Sequence, residues 1–158
     1  MHKLSLHRIP KSFRGKSKLY VQLWWLVQAI FISLSPQVFY GWRRFWLRSF
    51  GATIGKKVLI RPSVKITYPW KVSIGDYSWI GDDVVLYSLG EIEIGSNAVI
   101  SQKSYLCTGS HDYTKETFDI FVKKITVGNG CWLATDVFVA PGIDLSLIHI
   151  SEPTRRIT

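Results

Sequence analysis

The sequence predicts an all-β solenoid of short parallel strands, preceded by a helical segment. Three observations predict it. Aliphatic residues recur six apart in four runs of three: Ile54, Ile60, Ile66; Ile74, Ile80, Leu86; Ile94, Ile100, Leu106; Val127, Leu133, Val139. Glycine follows the aliphatic at 54–55, 74–75, 80–81, 94–95 and 127–128. Four residues after the aliphatic the side chain is small or β-branched, as at Val58, Ser78, Ala98 and Cys131. Self-similarity at a fixed period marks a repeat architecture. A helix would need apolar residues at i, i+3, i+4 and i+7, and a half-buried strand would need simple alternation. Period six fits neither. It fits a short strand and a turn, three to a coil, with the aliphatic and the small residue pointing inward. The glycine is expected to relieve the turn where a positive φ is needed.

The N-terminal segment, residues 1–50, holds nine Lys/Arg and no Asp or Glu. The remainder is balanced, so the whole net charge of +9 lies ahead of the repeats. Residues 2–18 are polar and basic. "LYVQLWWLVQAIFISL", 19–34, is apolar but falls short of the ~20 residues a spanning helix needs. No small-residue cleavage site follows it, and Pro36 breaks it. "VFYGWRRFWLRSFG" predicts a second short helix ended by Gly51. Phe39, Trp42, Trp46 and Phe50 fall on one face, and Arg44 and Arg48 on the other. Two readings stay open. The helices lie in the interface of an anionic membrane, or they cap the open end of the solenoid, whose first strands are otherwise an exposed edge.

The repeats occupy 51–144. The steps from 66 to 74 and from 86 to 94 are two residues longer than six, and the step from 106 to 127 is longer by fifteen. That excess predicts a long loop over 107–126, and long loops in compact domains are usually functional. His111 stands at its mouth. The other histidines, His2, His7 and His149, lie outside the repeats. A neutral imidazole suits general-base work; a plain surface-loop histidine is the alternative. Cys107 and Cys131 form no C-x-x-C, and Cys131 occupies an inward slot where a thiol behaves as a small hydrophobe. A reduced, cytoplasmic setting fits. P-loop and dinucleotide-binding glycine motifs are absent. The positive charge accompanies an apolar, Trp-rich segment and not the repeat face, which argues against a nucleic-acid partner.

"IGDDVVLYSLGEIEIGSNAVISQKSYLCTGSHDYT" followed by "ITVGNGCWLATDVFVAPGI" resembles the hexapeptide-repeat acyltransferases, a left-handed parallel β-helix family, and within it the colanic-acid-type exopolysaccharide O-acetyltransferases. The resemblance covers roughly residues 51–144. It alone implies the left hand, since the general crossover rule predicts the opposite. It implies an acetyl-CoA-dependent O-acetyltransferase acting on a saccharide or lipid-linked glycan, without a metal. It further implies a cytoplasmic homotrimer with CoA in the groove between subunits; peripheral contact with the inner membrane, where lipid-linked glycans are built, is a separate expectation.

His111 then falls at the family's catalytic histidine, with Asp112 or a backbone carbonyl holding its other ring nitrogen. The long loop would reach over a neighbouring subunit, offering Tyr113 and Phe118 for packing. Trp132 and Thr135 of "CWLAT" match positions that contact CoA. Lys123 and Lys124 would lie near the groove, facing CoA phosphates or simply solvent. Asp83 falls where relatives bind the acceptor sugar, with Asp82 and Asp112 as further substrate-side candidates; ordinary turn chemistry is the alternative for an Asp after "IG". A γ-class carbonic anhydrase shares the solenoid but needs three zinc histidines per site, and the repeats contain one histidine. An N-acetyltransferase on an amino sugar or sugar nucleotide, and a non-catalytic scaffold, remain alternatives.

The beat fails at the end of the chain. Val139 and Leu145 are in phase, but the next slot is Ser151, and no "IG" follows "APGI". The stretch 145–158 is expected to be irregular and non-native, resembling translated read-through joined to a repeat domain cut short. Leu133, Val137, Val139 and Ile143 would then lose part of their cover.

Overall fold

The structure, a computed structural model, describes residues 13–146 and the short strand 150–151. Its strands come three to a coil. The first coil holds β1 (Thr53–Ile54), β2 (Leu59–Ile60) and β3 (Lys65–Ile66); the second β4 (Val72–Ile74), β5 (Trp79–Ile80) and β6 (Val85–Tyr87). The third holds β7 (Ile92–Ile94), β8 (Val99–Ile100) and β9 (Tyr105–Cys107). A side arm, β10 (Gly109–His111) and β11 (Ile120–Val122), precedes the fourth coil of β12 (Ile125–Val127), β13 (Trp132–Leu133) and β14 (Phe138–Val139).

Stacking makes three parallel sheets, β1-β4-β7-β12, β2-β5-β8-β13 and β3-β6-β9-β14. The register places Ile54, Ile74, Ile94 and Val127 in one ladder. Ile60, Ile80, Ile100 and Leu133 form the second, and Ile66, Leu86, Leu106 and Val139 the third. All twelve are buried, each worth roughly 1.5–3 kcal/mol of apolar burial. The small residues fill between them: Val58, Ser78, Ala98 and Cys131 are likewise buried. The period of six is thus the spacing between inward-facing ladder positions.

The glycine expectation needs correction. The glycines after the aliphatics do not carry the positive φ. That conformation falls three residues after the aliphatic, at Lys57, Tyr77, Asp83, Asn97, Lys103, Gly130 and Asp136. The glycines are there because successive coils nearly touch. A Cβ on Gly75 would stand 2.5 Å from the Ser96 nitrogen, and one on Gly95 2.6 Å from that of Asn129.

The N-terminal segment folds as α1 (Lys18–Val27), a π-turn (Gln28–Ile32) and α2 (Tyr40–Ser49). Ser17 caps α1, its side chain accepting from the Tyr20 amide. The predicted aromatic face of α2 is divided. Phe50 is buried along with Arg43 and Leu47, whereas Phe39 and Trp42 are exposed. The reason is the open end of the first coil, where no earlier coil supplies donors. Ile60 O accepts from Arg43 Nε at 2.6 Å, and Val58 O from Arg44 Nη1 at 2.9 Å. Ile54 O accepts from Arg48 Nη2 at 2.8 Å, and Ile66 O from Trp24 Nε1 at 2.9 Å. Gln28 Oε1 accepts from the Ile66 amide at 2.7 Å, just where α1 opens into the π-turn. Arg43 further donates to Ser35 Oγ and to the Pro36 and Gln37 carbonyls. Arg44 and Arg48, expected on the face opposite the aromatics, therefore cap the coil.

The stretch 107–126 is an antiparallel hairpin arm, pairing Gly109 with Val122 and His111 with Ile120, where a plain loop was expected. The stretch after 144 also departs from the irregular expectation. The Leu145 amide donates to Thr126 O at 2.8 Å, and β15 (Ile150–Ser151) pairs parallel with β13. Leu133, Val137 and Val139 are buried. The expectations for 147–149 and 152–158, and for residues 1–12, lie outside the described residues. Among the described residues no helix is long and apolar enough to cross a membrane.

Candidate active site

The hairpin arm leaves the third coil at the corner after β9. Thr108 anchors its base: Thr108 Oγ1 donates to Tyr87 O at 2.7 Å, and Thr108 O accepts from the Lys123 amide at 2.9 Å. His111 ends the first strand of the arm. Its Nδ1 lies 2.9 Å from the Phe118 carbonyl oxygen. A carbonyl only accepts, so Nδ1 carries a proton, and in the neutral ring the lone pair falls on Nε2. The ring is stacked on Phe118, with centroids 4.4 Å apart and planes 5° from parallel. Phe118 itself has φ +49, the left-handed conformation that turns the chain so that its carbonyl and ring both meet the imidazole. Of the two expected partners for the second ring nitrogen, the backbone carbonyl is the one present.

Asp112 is engaged elsewhere. Its Oδ1 accepts from the Thr114 amide at 3.0 Å and the Thr114 hydroxyl at 2.6 Å. Those bonds hold its carboxyl below the usual range. Lys115 stands 3.8 Å away. Tyr113 is exposed at the arm's tip.

Asp82 and Asp83 occupy the corner after β5. Asp82 pairs with Arg61, Nε to Oδ2 at 2.9 Å, and accepts from Ser63 Oγ at 3.2 Å. Asp83 has φ +56, and its amide donates to Ser63 Oγ at 2.9 Å. Asp82 and Arg61 line a concave surface of about 360 Å³ with Tyr40, Trp79, Ser101 and Gln102. Trp132 adjoins it, Nε1 donating to Ser101 Oγ at 2.9 Å. Trp132 and Trp79 are both about half exposed on the outer face of the β2-β5-β8-β13 sheet. Thr135 is half-buried at the next corner. Lys124 pairs with Glu93, and Lys123 Nζ lies 5.9 Å from the centre of the Phe121 ring.

The candidates thus form separate groups on one chain. His111 and Asp112 share the arm, with Lys123 and Lys124 at its base. Asp82 and Trp132 gather around Ser101 and Arg61, while Asp83 is exposed beside Ser63. Arg61 escaped notice in the sequence, although it stands where other hexads place Gly55, Gly75, Gly81 or Gly95 after the aliphatic. Among the described residues no group of three His, Cys, Asp or Glu stands close enough to hold a metal ion.

No family model matches the chain. An Escherichia coli (strain K12) protein that bears the name colanic acid biosynthesis acetyltransferase WcaF is 63% identical over 145 residues, spanning 92% of this chain and 80% of that protein. A maltose O-acetyltransferase from Clostridium difficile 630 superposes with a TM-score of 0.71 at 18% identity, covering 84% of this chain and 77% of that one. A hexapeptide-repeat acetyltransferase from Vibrio cholerae O1 biovar eltor, solved with acetyl-CoA, superposes with a TM-score of 0.66 at 20% identity, over 85% and 69% of the two chains.

Proposed function

The chain belongs to the hexapeptide-repeat acetyltransferases of the colanic acid biosynthesis type, built on a left-handed parallel β-helix, and on that premise we propose that it transfers acetyl from acetyl-CoA to a saccharide hydroxyl in exopolysaccharide assembly, with His111 as general base. The observation that carries this reading is the bond between His111 Nδ1 and the Phe118 carbonyl. It fixes the tautomer in which Nε2 is free of hydrogen, the form a general base needs. Nε2 takes the proton of the sugar hydroxyl as its oxygen attacks the thioester carbonyl. The carbon–sulfur bond then breaks, and the imidazolium returns the proton to the departing thiolate. Products are the acetyl ester and CoA.

Acetyl-CoA is a substrate in this scheme and would lie between subunits of a cytoplasmic homotrimer. Trp132 and Thr135 would flank it, with Lys123 and Lys124 near its phosphates. Asp83, beside Asp82, would meet the acceptor sugar, a free or lipid-linked glycan. The exposure of Trp79 and Trp132 on one solenoid face supports a subunit contact there, which would bring the separate groups into one cleft. Asp112, tied to Thr114, has its bonding directed into the arm, which favours a role in shaping the arm over one in contacting sugar.

The test is steady-state release of CoA with hydroxyl-bearing and amine-bearing sugars. Hydroxyl acceptors are expected to support turnover, and His111→Ala to lower kcat by roughly 10²–10⁴ in a protein that keeps its fold. Near-normal kcat in that variant would remove His111 from the mechanism. Preference for amines would favour N-acetyl transfer, and no CoA release with either would favour a scaffold.

A further inference from the structure

We propose that the helical cap is a docking surface for an anionic phospholipid bilayer, holding the solenoid end-on against it. The two helices spend their inner face on the first coil and leave the outer one apolar. Leu23 and Leu26 of the first helix and Ile30 of the π-turn are about half exposed, as is Phe45 of the second helix, and Leu34 is more exposed still. The faces are continuous. Phe31 meets Trp42 with ring centroids 6.2 Å apart, and Trp42 meets Phe45 at 6.4 Å. A shallow apolar hollow of about 240 Å³ opens between them at Ile30, Leu34 and Phe39. Soluble monomers rarely expose so large a contiguous apolar surface without a partner.

Charge decides what the partner is. No charged residue occurs between Leu19 and Trp42, and no acidic residue occurs anywhere before Asp76. The rim is mainly basic: Lys16 and Lys18 lead into the first helix, and Lys56 and Lys57 lie on the coil beneath, all exposed, with one carboxylate beside them, Asp76, whose Oδ1 accepts from the Lys56 amide at 2.7 Å. An apolar face with interfacial tryptophans and a mainly basic rim matches the headgroup region of an anionic bilayer. No described helix crosses it, so the attachment is monotopic. The inference does not depend on the role given to His111.

The experiment is co-sedimentation of the purified full chain with phosphatidylcholine vesicles, with and without phosphatidylglycerol, checked by light scattering for oligomeric mass. Wild-type protein is expected to pellet with the anionic vesicles, less so as salt rises. Leu23→Ser, Ile30→Ser and Phe45→Ser together are expected to lower the partition coefficient by about tenfold or more, with unchanged thermal unfolding. Lys16→Gln and Lys18→Gln are expected to lower it by about fivefold each. Wild-type protein that stays in the supernatant would overturn the proposal. So would undiminished binding by the triple variant, including the case where deleting residues 1–12 abolishes it. A fall in oligomeric mass in that variant would also overturn it, by showing that another copy covers the face.

Discussion

A buried arginine is costly unless every donor finds an acceptor, and Arg43 has one for each nitrogen: Ile60 O, Ser35 Oγ and the Pro36 and Gln37 carbonyls. Its burial pulls the guanidinium below its usual pKa, yet the surrounding carbonyls make the charged form the useful one. Arg43→Leu is expected to destabilise the fold by roughly 3–5 kcal/mol, read from denaturant unfolding, because the abandoned carbonyls stay buried. Arg48→Gln, at a solvent-exposed position, should cost only about 1 kcal/mol. Equal losses would contradict the capping account. In the proposed mechanism Phe118 would act through His111, since its ring lies flat on the imidazole. Phe118→Ala should lower kcat by about tenfold, far less than loss of the histidine, because an unclamped ring spends less time in productive geometry. A positioning role predicts that Phe118→Tyr restores the rate; a merely structural role predicts a loss of folded protein with kcat unchanged. The role of Arg43 was not legible in the sequence, and of the partner of His111 only the kind, a backbone carbonyl, was expected, not that Phe118 supplies it. A guanidinium among Trp and Phe reads as surface, and a backbone acceptor has no residue type to announce it.

The coil corner and the hairpin arm set the elements' own rules. At the corner the twelve aliphatics were legible because geometry imposes their period, but the purpose of the following glycine was not, because contact between stacked coils leaves no local signature. Gly75→Ala should therefore cost roughly 1–3 kcal/mol through overpacking against Ser96. Lys103→Gly, at φ +62, should change stability by less than about 1 kcal/mol, since glycine favours that conformation. Chemical denaturation of both variants checks this, and the reverse order would restore the turn-relief explanation. The arm was read as a loop because "GSH" and "IFV" are each too short to show alternation. Its tip depends on Asp112. The folded pKa lies below that of the unfolded chain, so the stabilisation is fully present above the ordinary value of about 3.9 and is lost as pH falls through the lower folded value. Protection of the Thr114 amide should accordingly fall below about pH 4, and Asp112→Asn should remove that acid dependence.

At the scale of the whole molecule the solenoid has two unlike ends, and the N-terminal end is closed by side chains and not by another coil. Composition showed that the excess charge lies before the repeats, and both readings of the helices followed from it. What composition could not show is how the charge divides: Arg43, Arg44 and Arg48 turn inward to carbonyls of the first coil, while Lys16 and Lys18 stay outside. The division follows from chemistry, because the planar guanidinium reaches two or three acceptors in fixed directions and an ammonium remains better hydrated. Removing residues 1–50 would strip the donors from Ile54, Val58, Ile60 and Ile66 and uncover Leu47's and Trp24's apolar contacts on the same coil. An uncapped solenoid end is both an apolar surface and a row of unpaired strand groups, a template for further pairing. A chain beginning at Gly51 is therefore expected to aggregate on purification, by light scattering, while the full chain with Lys16→Gln and Lys18→Gln stays dispersed, because those lysines take no part in the cap. If residues 51–158 instead remain monodisperse with a cooperative thermal transition, the repeats close their own end, and the helices serve only what lies outside them.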